Sequence, residues 1–169
     1  DEKGEGPEYE SIYALGSSLD IDDFDTIISA NYLCNRLGMD TISCGATIAC
    51  AMELQEKGKL DTELAFGRAD LLLKTVEDVA YRRGLGDEIA EGSKRLSARY
   101  DMPEVSMQVK GLEFPAYDPR GMQGQGLLYA TSNRGACHLR GNMLGPELLG
   151  APKMLPRHAS SGKAGILIV

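Results

Sequence analysis

Residues 20–58 read DIDDFDTIISANYLCNRLGMDTISCGATIACAMELQEKG, and this stretch decides the fold class. Four acids, Asp20, Asp22, Asp23 and Asp25, precede apolar residues at Ala30, Leu33, Cys34 and Leu37. The spacing i, i+3, i+4, i+7 is one face of a helix. Carboxylates before it suit the N-cap and the positive end of the helix dipole. Gly38 supplies the stop, because glycine takes the left-handed conformation at low cost. Asp40 or Thr41 can cap a second helix running to Gly58. Its apolar positions, Ile42, Ala46, Ile48, Ala49 and Met52, cover much of the circumference, so this helix is expected to be buried.

The same reasoning extends outward. Leu72, Val76, Val79 and Ala80 share one face of a third helix, with Arg82 and Arg83 in its last turn and Gly84 just past it. A fourth helix is predicted from about Asp87 to Arg99. Residues 1–20 are polar and Gly-rich, and read as loop and short extended structure. After Pro103 the texture changes. KGLEFPAYDPRG (110–121) places Pro, Gly and aromatics at spacings no helix tolerates. A further helix is predicted over 122–133, then loop, then a helix from near Ser160. The expectation is a mainly α protein: a multi-helical region over 1–105 and a loop-rich region over 106–169.

The chain carries 18 Lys and Arg against 25 Asp and Glu, a formal charge of −7, and no basic stripe of the kind that binds nucleic acid. The cluster Arg82, Arg83, Lys94, Arg95 and Arg99 is interleaved with Asp87, Glu88 and Glu91, which reads as a solvated face. No apolar run reaches the length of a membrane span and no signal-peptide pattern is present, so a cytoplasmic location is expected. Cys34, Cys44, Cys50 and Cys137 lack CxxC spacing and read as buried thiols rather than a zinc or cluster site. Asp20-x-Asp22 lacks the glycine and the closing acid of a calcium loop, Gly124-x-Gly126 lacks a third glycine, and Gly162-Lys163 lacks the rest of a P-loop. The chain has no initiator Met, and it ends on the uncapped apolar run Gly165-Ile-Leu-Ile-Val169. Both features suggest an internal fragment.

Five strings carry a more specific signal: EGPEYE at 5–10, LGMDTIS at 37–43, EGS at 91–93, KGLEFPAYDPRG at 110–121 and YATSNRGACHLR at 129–140. In this order and at these intervals, they resemble the aldehyde ferredoxin oxidoreductase family. The likeness covers essentially the whole chain and corresponds to the family's second domain and the start of its third. It implies an enzyme with tungsten, or sometimes molybdenum, on two pterin dithiolenes beside a [4Fe–4S] cluster, oxidising aldehydes to carboxylic acids with ferredoxin as acceptor. The family's cluster cysteines would lie outside this stretch, so the isolated chain is expected to hold no tungsten, pterin or iron and to be inactive. The rival reading is a free-standing helical interaction module that has lost the cofactor.

Residue by residue, the resemblance places Glu10 and His138 near the metal, as groups able to order a water and move a proton. Asp40 matches the final acid of the family's D-x-x-G-L-D pterin motif, and Asn35 replaces its first acid. Arg140 stands where the best-known members have Lys, with donors for pterin or phosphate oxygens. Loops carrying Glu10 and His138 are expected to close over one cavity that Asp40 also borders, with Arg140 nearby. Ser29 and Leu73 fall where some members bridge two subunits through an iron held by Glu and His, so no iron-bridged dimer is expected.

Overall fold

A computed structural model describes residues 6–150; the helix expected near Ser160 lies outside them. The chain divides into two compact units between residues 107 and 108.

In the first unit, α2 (Phe24–Leu37) and α3 (Thr41–Glu56) follow the pattern of residues 20–58. Gly38 takes φ +72°, and its N–H donates to the Cys34 and Asn35 carbonyls, closing α2. Asp40 caps α3: its carboxylate accepts from the Ser43 N–H at 2.7 Å. Cys44, Thr47, Ile48, Cys50, Ala51, Met52 and Leu54 are all buried, so α3 is the helix around which the unit packs.

Residues 9–19 are not loop. Tyr9–Leu15 forms α1, followed by a 3-10 turn at Ser17–Leu19. Seven residues cannot hold a helix by propensity alone. Tertiary packing makes the difference: Ser11, Ala14 and Leu15, spaced i, i+3, i+4, are buried. A Cβ on Gly45 would lie 2.1 Å from the Ala14 carbonyl oxygen, so α1 and α3 touch backbone to backbone there.

The third predicted helix is α4 (Ala69–Ala80), with Leu72, Val76 and Val79 buried. It ends earlier than expected. Arg82 lies beyond it with φ +52°, and Gly84, instead of closing α4, is the N-cap of the next helix. The predicted helix over 87–99 is two short helices, α5 (Leu85–Ile89) and α6 (Ser93–Arg99). Gly92, at φ +86°, breaks the run between them. The charged face there is solvated and paired: Arg82 donates to Asp87 and Glu91 at 2.8 Å each, and Arg99 meets Glu88 at 3.1 Å. Exposed pairs of this kind are screened by solvent and add little to stability.

The second unit has little regular structure among its described residues. β1 (Gln108–Val109) and β2 (Leu112–Glu113) pair antiparallel across Lys110-Gly111, both at positive φ. One helix, α7 (Gln123–Thr131), follows, close to its expected limits. The segment read as loop contains a single turn of π-helix at Leu144–Leu149. Glu147 in that turn explains its order: its carboxylate accepts from the Gly124 N–H at 2.8 Å and the Gln125 N–H at 3.2 Å, capping α7 from a distance in sequence.

Candidate functional site

The first unit brings Glu10, Asn35 and Asp40 to one end. Glu10 sits in the first turn of α1, on a helix rather than a loop, and Asp40 is the N-cap of α3. Two contacts align these helices. The hydroxyls of Ser11 and Thr41 share a hydrogen bond of 2.8 Å, and three to four residues on, Ala14 touches Gly45. Both contacts step forward along both chains, so α1 and α3 run parallel with their N-termini side by side. The aligned helix dipoles give that end a positive bias, which favours anionic or acceptor groups. Glu10 is half-buried, with Oε1 shielded from solvent. Asp40 and Asn35 are exposed across the Gly38 turn.

Beneath Asp40 the thiols of Cys34 and Cys44 are hydrogen-bonded to each other. The bond from Cys44 holds Cys34 below the usual thiol range. The same bond, with burial, pushes Cys44 well up. All four cysteines are buried and free, but Cys34 and Cys44 act on each other rather than as apolar filler alone.

In the second unit, His138 lies in the loop after α7, half-buried, its ring 5.8 Å from that of Tyr117. The Tyr117 carbonyl accepts from the Tyr129 hydroxyl at 3.0 Å, and Tyr129 packs 5.2 Å from Phe114. The imidazole therefore rests on an aromatic group anchored in α7. Arg140 is exposed and lines a cavity of about 310 Å³ together with Arg134.

The whole sequence, residues 1–169, matches the family model described as aldehyde ferredoxin oxidoreductase, domains 2 and 3. The chain belongs to the aldehyde ferredoxin oxidoreductase family. It is 53% identical to the tungsten-containing aldehyde ferredoxin oxidoreductases of Pyrococcus furiosus and Thermococcus kodakarensis, over 98% of its own length and 29% of theirs. It is 27% identical, over 79% of its length and 24% of the relative's, to the WOR-like subunit of an aliphatic sulfonate oxidoreductase from Pyrococcus furiosus. The chain thus spans under a third of these relatives.

In this member of the aldehyde ferredoxin oxidoreductase family, Ser29 on α2 and Leu73 on α4 are exposed, and neither side chain is an iron ligand. No helix among the described residues is long and apolar enough to cross a membrane. Sequence reasoning missed the residues that position the others. Ser11 and Thr41 align the two helix starts, and Tyr117 backs His138. Ser11 sits one residue past EGPEYE and Thr41 inside LGMDTIS, but a hydroxyl pairing thirty residues apart leaves no periodic trace.

Proposed function

We propose that this chain is part of a tungsten-pterin enzyme that oxidises aldehydes to carboxylic acids and passes electrons to ferredoxin in the cytoplasm. The single observation that carries this is the 53% identity to tungsten-containing aldehyde ferredoxin oxidoreductases over nearly the whole chain.

The residues fit the cofactor. A pterin edge presents adjacent N–H donors, and the solvent-facing Asn35 and Asp40 offer amide and carboxylate acceptors on either side of Gly38. Asp40 already spends one oxygen, Oδ2, on its helix cap, which fixes the carboxylate's orientation. Arg140 supplies donors for pterin or phosphate oxygens. When bound, the tungsten–pterin group provides the two-electron redox step.

The balance is R–CHO plus water giving R–COOH, two protons and two electrons. Glu10 orders the water and takes a proton at its carboxylate; its half-buried place beside a helix N-terminus keeps the group oriented. His138 takes or returns the second proton at its ring, steadied by Tyr117. In the full-length protein an iron–sulfur cluster would supply the one-electron chemistry that hands the two electrons to ferredoxin. The 169-residue chain alone carries neither group and does not turn over. With Ser29 and Leu73 at the bridging positions, added iron does not dimerise it.

The test is kinetic. Glu10→Gln and His138→Ala, each made in the full-length protein, should lower aldehyde-dependent dye reduction by about 100-fold or more while tungsten content stays at the parent level. Parent-level turnover in both variants would remove these residues from the chemistry.

A further inference from the structure

The second unit holds a cavity of about 310 Å³ beside the loop that follows α7. Arg134 and Arg140 line it with Ser132 and Asn133, over Leu128 and Cys137, and no carboxylate is among the lining residues. That is unusual in a chain of net charge −7. Most of the other arginines described are neutralised: Arg68, Arg82, Arg83, Arg95, Arg99 and Arg120 each pair with a carboxylate. The contrast is sharpest with the larger cavity of the first unit, of about 650 Å³. Its cations, Lys74 and Arg83, are spent on Asp78 and Glu77. Among the described residues, no hydrogen bond or ion pair uses the guanidinium of Arg134 or Arg140.

The loop is built to keep donors free. The Arg134 N–H donates to the Ser132 hydroxyl oxygen at 3.2 Å, so the hydroxyl proton of Ser132 remains to be given. Lys110 donates to the Ser132 carbonyl at 2.7 Å and the Ala130 carbonyl at 3.3 Å, where α7 ends, adding a third positive charge at the loop's base.

The geometry points to a phosphoryl-binding site, in which Arg134 and Arg140 hold the terminal oxygens of a phosphomonoester and Ser132 donates a further hydrogen bond. Two guanidinium forks and a hydroxyl offer more donors than the two oxygens of a carboxylate accept, and suit the three oxygens and near-double charge of a phosphoryl group. The apolar side, Leu128 and Cys137, leaves room for the organic part of the ester. The site extends the cofactor reading, with which it shares Arg140, and adds Arg134 and Ser132, to which that reading gives no role.

The probe is inorganic phosphate, titrated calorimetrically into the 169-residue chain at fixed ionic strength, with acetate and chloride for comparison. Phosphate should bind measurably more tightly than acetate, and chloride should give no heat. Arg134→Gln and Arg140→Gln should each weaken phosphate binding about tenfold, the order of one charge-assisted hydrogen-bonded contact. Arg95→Gln, in the first unit, should leave it unchanged. Should Arg134→Gln melt early, Arg134→Lys, which keeps the charge and loses the fork, should weaken binding by a smaller factor. Phosphate binding no better than acetate, or equal binding by the parent and Arg134→Gln, would overturn the proposal, as would equal weakening by Arg95→Gln. The two readings fail separately: this titration needs no cofactor, and the kinetic test of Glu10 and His138 leaves Arg134 untouched.

Discussion

The two units are held together by different physics. The first is organised by apolar helix faces: α3 is buried along its length, and α1 closes on it through the Ala14–Gly45 contact. The second has one described α-helix, whose small apolar cluster of Met122, Leu128 and Met143 is joined by a set of buried polar contacts. Gln125, fully buried, accepts from the Met143 N–H at 2.8 Å and donates to the Gly141 carbonyl, while Glu147 caps α7. Burial of a large apolar side chain contributes about 1.5–3 kcal/mol wherever it happens. A buried amide contributes only while every partner is in place. The first arrangement can be read from spacing, and the second cannot.

The contrast can be broken from either side. Gly45→Val forces a side chain into the Ala14 carbonyl and separates α1 from α3. The expected loss is about 3 kcal/mol, read as an early urea midpoint of the helical signal. An unchanged midpoint would mean that α1 does not lie on α3. Gln125→Leu strands the Met143 N–H in the second unit, with an expected cost of about 2 kcal/mol. Near-ultraviolet intensity from Tyr129 should fall while far-ultraviolet helicity, mostly from the first unit, stays close to the parent's. Equal loss of both signals would deny the units their separate supports.

The smallest expected effect separates two roles of one residue. Asp40→Ala removes the cap of α3 and should cost about 1 kcal/mol. Asp40→Asn, an equally good cap, should cost almost nothing in a thermal melt. In the full-length protein the Asn variant should nevertheless retain less pterin, because the carboxylate is gone. If both variants melt with the parent, the cap contributes no stability.

The stretch 20–58 was legible because each of its helices carries its own start, apolar pattern and stop: Asp23, a one-sided stripe and Gly38 for α2, Asp40, a nearly all-round apolar surface and Gly58 for α3. α1 was not, because its seven residues become helix only when α3 offers Gly45 as a seat. The break at Gly92 was hidden inside a pattern that reads as one helix across it. The π-turn at 144–149 depends on Glu147 finding α7, a contact with no local signature. The proposed site divides the same way. Asp40 as a helix cap could be read from its position, while the roles proposed for it, Glu10 and His138 rest on the family strings. The pairing of Glu10's helix with Asp40's rests on the Ser11–Thr41 bond, and Arg134 is one arginine in an aperiodic loop.

The central claim is that the paired N-termini of α1 and α3 form the end of the first unit that faces the metal. Anomalous diffraction at the tungsten absorption edge, from crystals of the full-length protein, tests it directly. The account predicts a tungsten peak opposite the starts of α1 and α3, on the side of Glu10 and Asp40. A peak against the other end of these helices, near Gly16 and Gly58, would contradict it.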